Sequence, residues 1–552
     1  MKKYLNAVSF CFFTLVITTK LLLFNYYAYQ PVWIGIFEKL AVGCAISSLV
    51  FVFREKRWMI PFLLFVDIWC IANLVYVRSN NLILDGFALT MAGGMNGFWD
   101  SILIFFQWQD LYFPMLTVVA ALPYFFVGKI DRAPRLVPVV LLLAVVLNYA
   151  GVACIGNGFK LNVYSRVPRE EIYGNKLLEE ACSTSIMHTL VYVPLDYLQL
   201  IHGVYPAPLP MSEAQYDAMD KLTGQTTGPV TERPLLIVLV ESLESWVIND
   251  YTMPNLYRFL SNEHVLYAPK VECQTVGAES ADGQMIVVSG LLPTHEGATC
   301  FRFPHNEFPS LMKAQRNHSL IMLPHDETVW NQKEMSPAYK FDSTAFISPI
   351  DNILFAQIDS AVDAGYKAIL AITMSTHSPF KGGAGSHLQL PKNMPYGMYN
   401  YTRGFNVVDA GIKQLLDKIE SDSIMQQYTV VITGDHTIFH KERRERFAHY
   451  AASHDHFPFM VDEGYVPLIV YSPKITHNTR INDRCYQSDI YPTIIHLTDA
   501  EEYYWHGFGV NILDSVAREN RKYTEEWLFD LSDRVIMNDY FASKVSATES
   551  TE

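Results

Sequence analysis

Two patterns of apolar residues divide this chain. Up to about residue 157, apolar runs recur near 5–24, 32–53, 58–77, 111–127 and 136–156. Each approaches the roughly 20 residues that a helix needs to cross the hydrocarbon core of a bilayer. From residue 233 the runs shorten to strand length, at 235–240, 319–323, 367–374, 428–434 and 466–471, with helical patterns such as 405–420 between them. Short, continuously apolar runs that alternate with helices predict a mostly parallel sheet with helices on both faces. The chain therefore reads as a five-helix membrane region over 1–157 and a linker with juxtamembrane helices over 158–232. A globular domain over 233–530 and a tail over 531–552 follow. The linker holds a helix predicted near 174–203, the Pro-rich stretch Pro206-Ala-Pro-Leu-Pro210 and a Thr/Gly/Pro-rich segment at 223–234.

Charge sharpens this division. Residues 1–158 hold eleven Lys and Arg against seven Asp and Glu, which leaves −18 on the remainder of a chain whose net charge is −14. An acidic domain argues against nucleic acid, because phosphate contacts need a basic face. Lys2 and Lys3, then Arg54, Lys56 and Arg57, then Lys129, Arg132 and Arg135 fall on one side of five crossings. The excess of basic residues on cytoplasmic loops sets the N-terminus inside and the globular domain outside. No small-x-small cleavage pattern follows the first apolar run, so it reads as a retained helix of a multi-pass cell-membrane protein. Asp67 lies mid-span, where a lone carboxylate is costly, and is expected to be paired within the bundle. The soluble part holds Cys182, Cys273, Cys300 and Cys485 without a CxxC, which excludes zinc-cluster spacing. Cys273 and Cys300 read equally well as a bridge around the turn at 277–284 or as free thiols.

Candidate chemistry gathers at strand ends. Glu241 directly follows the run 235–240, Asp435-His436 follows 428–434, and Ser375-Thr-His377 follows 369–374. In parallel sheets ligands bind at the carboxyl ends of strands. Between them, Gly277-Ala-Glu-Ser280-Ala-Asp-Gly-Gln284 presents one hydroxyl before an apolar helix predicted at 284–291. A serine at a helix N-terminus gains N–H donors for an anion, and a divalent cation lowers the pKa of a bound hydroxyl. Glu241, Ser280, Asp435 and His436 are thus candidate ligands of one divalent ion, with Ser280 the nucleophile. His454 and His456 form a second candidate cluster for phosphate or a second metal, or else pack structurally. Glu279 and Asp282 read as solvated or structural, and His325-Asp326 and His440 as weak candidates.

Val240-Glu-Ser, Met253-Pro-Asn-Leu256, the 277–284 turn, Trp330-Asn331, Thr373–Phe380 and Thr433–His436 together resemble the lipoteichoic acid synthase branch of the sulfatase/alkaline phosphatase superfamily. Gln487-Ser-Asp-Ile-Tyr-Pro492 and Trp505-His-Gly-Phe-Gly-Val-Asn511 resemble it as well. The resemblance implies a five-helix N-terminal transmembrane bundle followed by an alkaline-phosphatase-like α/β/α domain. It further implies one Mn²⁺, or Zn²⁺ or Mg²⁺ in its place, on Glu241, Ser280, Asp435 and His436. The implied reaction moves phosphoglycerol or phosphoethanolamine from a membrane phospholipid to an envelope glycan or glycolipid, with Ser280 transiently carrying the headgroup. Trp330, Asn331, His377, His454 and His456 are the implied substrate contacts. Ser280 stands where this branch commonly has Thr, and Gln332 where it commonly has Arg, so a fixed cation is missing from the pocket. Residues 281–284 lack the signature for formylglycine, which sets conventional sulfatases apart. The alternatives are a phosphodiesterase or sulfuric ester hydrolase using the same residues, and a non-enzymatic membrane scaffold.

Overall fold

The computed structural model describes residues 2–28, 36–49, 58–80, 83–84, 86–91, 105–122, 143, 186, 190, 193–202, 209–224, 226–294, 298–378, 380–391, 393–438, 441–454, 461 and 464–542. The chain divides into two compact units, Met1–Ala207 and Pro208–Glu552.

The first unit is helical, with segments Lys2–Tyr27, Ile36–Leu49, Met59–Asn80, Tyr112–Ala121 and Val193–Ile201 among the longest described. Among the described residues two helices, and not the expected five, are long and apolar enough to cross a bilayer: Val8–Tyr27 and Met59–Arg78. The second expected span holds a shorter apolar stretch, Lys39–Ser48. The fourth holds a helix of 10 residues, and all but Leu143 of the fifth lies outside the described residues. Phe13, Ile17, Phe24, Val66, Leu74 and Phe113 form the apolar interior. Charge enters it in pairs. The Lys20 ammonium bonds both Asp67 and Thr117, while Arg78 makes two parallel bonds of 2.8 Å to Asp110. Asp67 is thus paired, as its cost in lipid demands.

The second unit is built on one nine-stranded sheet. Its strands are β1 (Leu235–Val240), β2 (Val265–Glu272), β3 (Ser319–Leu323), β4 (Ser343–Phe346), β5 (Ala368–Ile372), β6 (Thr429–Gly434), β7 (Val466–Tyr471), β8 (Thr479–Arg480) and β9 (Cys485–Tyr486). The order is β4-β3-β5-β1-β6-β7-β2-β8, with β9 also on β2. β7 runs antiparallel to both β6 and β2, and the other described pairings are parallel, so the sheet is mixed but mostly parallel. Every residue of β1, β3, β5, β6 and β7 is buried, which is why these five stand out as apolar runs. β2 is interrupted by Pro269-Lys270 and bulges there, and β4 is four residues long and half-exposed. Neither carries a readable period.

Long helices cover the sheet. Tyr396–Ser421 is the longest in this unit, and its Phe405, Val408, Ile412, Leu415 and Ile419 are fully or nearly fully buried, a helical spacing that lays one stripe on the core. The packed unit reaches beyond both expected domain ends. Gln215, in the helix Glu213–Leu222, donates to Asp530 at 2.7 Å. The helix Glu525–Met537 continues through the expected 530/531 boundary with Leu531, Val535 and Ile536 buried. Apolar residues on that last turn need cover, so they extend the core and do not form a tail.

Candidate metal centre and nucleophile turn

β1 and β6 are hydrogen-bonded neighbours in register, Val240 opposite Gly434, so the residues that follow them emerge side by side. Glu241 is fixed through its backbone. Its N–H donates to Thr373 Oγ1 at 2.9 Å, and its carbonyl accepts from Thr376 Oγ1 at 2.6 Å. Both threonines belong to the exit of β5, the strand on the other side of β1. Ser242 then turns the chain at a left-handed φ of 58°. Its N–H donates to Asp435 Oδ1 at 2.7 Å and its hydroxyl to Glu241 Oε1 at 2.8 Å. A β-carbon on Gly434 would lie 2.3 Å from the carbonyl oxygen of Leu243, so only glycine lets the two strand exits approach so closely.

Ser280 arrives from the far side. β2 shares the direction of β1 and β6, and after six intervening residues the helix Glu279–Ser289 begins. Asp282, in its first turn, is 1% exposed, and one carboxylate oxygen accepts the N–H groups of Val276, Gly277 and Ala278 at 2.9–3.0 Å. Asp282 is therefore a structural residue that folds the turn, buried where the sequence left a solvated side chain open. Gly283 faces Asp435, and a β-carbon there would sit 2.1 Å from the Asp435 carbonyl oxygen. The helix Glu279–Ser289 thus rests directly on the strand exit that carries the Asp-His pair. Gln487 braces the same carbonyl at 2.6 Å and accepts from Gln274 N at 3.1 Å.

The result is one cluster. Ser280 Oγ donates to Glu241 Oε2 at 3.1 Å and lies 3.3 Å from His436 Nε2. His436 Nε2 is also 3.3 Å from Glu241 Oε1 and 3.7 Å from Asp435 Oδ2. One ligand atom from each of Glu241, Asp435 and His436 falls within 4.8 Å of the others, and all three residues are buried. The charge does not close. Asp435 Oδ2 is buried without a hydrogen-bond partner. Burial, with the Glu241 charge behind it, pushes the Asp435 carboxyl up to about 7. Burial works against ionised Glu241 too, but the bond and charge of His436 prevail and hold it below the ordinary carboxylate range. Burial likewise opposes a charged His436, yet Asp435, Glu279 and Glu241 together raise its pKa well above that of a free imidazole. Oxygen and imidazole donors that converge on an excess of negative charge fit a divalent cation.

Among the other expected contacts, His377 lies half-buried at the exit of β5, its Nδ1 2.7 Å from Ser378 O. Trp330 and Asn331 form a turn with left-handed φ values of 51° and 52°, and the Asn331 amide donates to Cys300 O at 2.9 Å. His454 is stacked on Tyr450 with ring centroids 4.0 Å apart, and its nitrogens face Tyr450 O and Asn393. Among the described residues, that local cluster supplies its contacts, and Glu241, Asp435 and His436 are not part of it. His456 and His440 lie outside the described residues. Gln332 is buried in a reciprocal amide pair with Gln284 of the nucleophile helix, its Nε2 donating to Gln284 Oε1 at 2.7 Å. It therefore ties two segments together and does not simply leave a gap where a cation would stand. Cys273 and Cys300 are free thiols.

Two residues prove closer to the cluster than the sequence indicated. His325 leaves β3 at the same edge of the sheet, its Nδ1 3.1 Å from Asp326 O, and burial lowers its pKa against the opposing pull of Asp326 and, more weakly, of Glu241. Its signal was the same as for the others, a polar residue just past an apolar run. Glu279 Oε2 lies 3.2 Å from His436 Nδ1, and burial raises its carboxyl to about 7. No pattern in the sequence marks that contact.

Comparison with known proteins places this geometry. Residues 233–500 match the sulfatase family. Over 315 residues the chain is 23% identical to lipoteichoic acid synthase-like YvgJ of Bacillus subtilis (strain 168), a match that covers 52% of this chain and 51% of that protein. The chain thus spans about half the length of this curated relative. Similar solved structures include the lipoteichoic acid synthase LtaP from Listeria monocytogenes, with 19% identity, a TM-score of 0.46, and 55% and 82% of the two chains covered. They also include the integral membrane lipooligosaccharide phosphoethanolamine transferase EptA from Neisseria meningitidis, with 12% identity, a TM-score of 0.47, and 91% and 96% covered. Residues 233–500, whose strand exits carry the Glu/Asp/His cluster, are thus similar to the sulfatase family over just under half of the chain.

Proposed function

We propose that this protein is a membrane-anchored, divalent-metal-dependent transferase that moves a phospho-headgroup from a phospholipid to an envelope glycan or glycolipid. The observation that carries the proposal is the position of Ser280 Oγ, 3.1 Å from Glu241 Oε2 and 3.3 Å from His436 Nε2, beside a carboxylate oxygen without a partner. The ion would be held by Glu241, Asp435, His436 and Ser280. When bound it would lower the pKa of the serine hydroxyl and neutralise charge on the phosphoryl group.

The chain's own residues define the remaining steps. Ser280 Oγ gives up its proton and attacks phosphorus of the donor phosphodiester, the bond to the diacylglycerol oxygen breaks, and that oxygen takes up a proton, so none is gained or lost overall. The headgroup phosphate is then esterified to Ser280. An acceptor hydroxyl next attacks the same phosphorus, loses its proton, and restores the serine. Ser280 lies in the first turn of the helix 279–289, where the positive end of the helix dipole would favour an anion. His377 and His325, from the exits of β5 and β3, would contact the transferred group, and Trp330 and Asn331 would border it.

The activities that LtaP and EptA are named for, lipoteichoic acid synthesis and phosphoethanolamine transfer, fit this class of reaction. The two long apolar helices fit a lipid donor and a catalytic domain outside the cytoplasm. Peptide mass spectrometry of the full-length protein after incubation with mixed phospholipids tests the proposal. An adduct on Ser280 is expected, and its mass names the headgroup. Ser280→Ala should abolish turnover and keep metal binding. Wild-type turnover in that variant would remove Ser280 from the mechanism. Free headgroup phosphate as the sole product would mark a hydrolase.

A further inference from the structure

Two consecutive residues bracket one imidazole. Ser280 Oγ lies 3.3 Å from Nε2 of His436, while the preceding residue places Glu279 Oε2 3.2 Å from its Nδ1. Glu279 reaches this position from a left-handed φ of 32°, a conformation that a residue with a β-carbon adopts at a cost. The surroundings hold it there, since Asp282 gathers the three N–H groups that precede it. The Glu279 side chain is mostly buried, so its carboxylate lies in a partly desolvated position where an unpaired charge is costly. A strained backbone and a buried acid on the nitrogen opposite the cluster mark more than a surface residue beside a nucleophile.

We propose that Glu279 is a positioning residue for His436, resting on the metal-site reading above. It accepts the Nδ1–H proton, fixes the tautomer with a bare Nε2, and turns that lone pair toward Glu241, Asp435 and Ser280. A carboxylate behind a ligating imidazole raises its basicity and restricts its rotation. The Thr437 carbonyl, also 3.2 Å from Nδ1, is the neutral acceptor left if Glu279 is removed. Glu279 is also the chain neighbour of the nucleophile. One strained turn therefore sets both the imidazole and the hydroxyl, and the two cannot be placed independently.

The test is Mn²⁺ affinity of the full-length protein in detergent, read by the electron paramagnetic resonance of free Mn²⁺, alongside the melting temperature. Glu279→Ala should weaken Mn²⁺ binding by about 10–100-fold, the usual consequence of losing such a partner. Glu279→Gln keeps an acceptor oxygen and should stay within about threefold of wild type, well short of that loss. Glu279→Gly relaxes the backbone, so it should melt no lower than wild type while binding Mn²⁺ as poorly as the alanine variant. Wild-type affinity in the alanine and glycine variants would overturn the proposal. So would a loss in all three variants that follows only a fall in melting temperature. If wild type itself binds no Mn²⁺, the metal reading fails and takes this inference with it. Binding by wild type with no loss in the alanine variant sinks this inference alone.

Discussion

The chain buries charge in two places, and the two differ in how it is balanced. In the N-terminal unit Lys20 is paired with Asp67 and Thr117, and Arg78 with Asp110 by two bonds. At the carboxyl edge of the sheet, Glu241, Asp435 and Glu279 crowd one imidazole, and Asp435 Oδ2 has no partner. Two other buried carboxylates of the same unit have both oxygens satisfied, although Arg444 Nε beside one of them lacks a hydrogen-bond partner. Asp489 takes two bonds from Arg521 and the N–H groups of Tyr486 and Val510, and Glu244 takes Trp246 Nε1, Arg444 and Ile438 N. Buried ions are ordinarily paired because desolvation outweighs an isolated charge. An open cluster among closed ones therefore points to a ligand that completes it.

Substitutions should separate the two kinds. Asp67→Ala strands the Lys20 ammonium in an apolar interior and should cost about 3–5 kcal/mol, seen as a lower melting temperature in detergent. Asp435→Asn does the reverse in metal-free protein. Above about pH 7, where the Asp435 carboxyl ionises, it removes one of several like charges and can keep the acceptor for Ser242 N and His436 N, so melting should hold or rise there. A fall comparable to that of Asp67→Ala would break the contrast. Glu244→Ala leaves Arg444 without its carboxylate beside the segment that follows His436. A loss of about 3 kcal/mol is expected, at the low end because the Arg444 side chain is slightly exposed.

Gly283→Ala tests the contact between the nucleophile helix and the Asp435 carbonyl. A strained insertion into a packed interior costs about 1–3 kcal/mol, and here it should also weaken Mn²⁺ binding, because the displaced group is the backbone of a ligand. Stability of metal-free protein should fall as pH rises from about 4 to about 7. Asp435 and Glu279, with carboxyls raised to about 7, keep protons in the folded state that the unfolded chain has already released. Glu241 is shifted the opposite way, so its contribution is lost only below its unfolded pKa. Saturating Mn²⁺ should flatten the profile, and denaturation at fixed pH values with and without metal checks this. Lys413→Ala, at an exposed pair with Asp417, should change stability by no more than about 0.5 kcal/mol.

How far the sequence carried depended on burial. β1, β3, β5, β6 and β7 are buried at every position, so their apolar runs gave the sheet. The principle that ligands meet at strand exits then drew Glu241, Asp435-His436 and His377 to one edge. β2 stayed hidden because Pro269 and Lys270 break its pattern, although it is the strand that leads to Ser280. Gln332 read as a gap in the pocket because its amide partner, Gln284, is distant in sequence. Glu279 and Asp282 read alike as acids flanking a nucleophile. Only folding distinguishes the one against His436 from the one that gathers backbone N–H groups. In the membrane region two of the five expected spans are long apolar helices among the described residues, and the fifth lies almost wholly outside them.

Metal content of the purified full-length protein, measured after equilibration with Mn²⁺ and removal of the excess, tests the proposed cation most directly. About one ion per chain is expected for wild type and for Ser280→Ala, with none retained by Asp435→Ala, whose lost carboxylate is a primary ligand. An Asp435→Ala variant that keeps its ion, or wild type that holds none, would contradict the account.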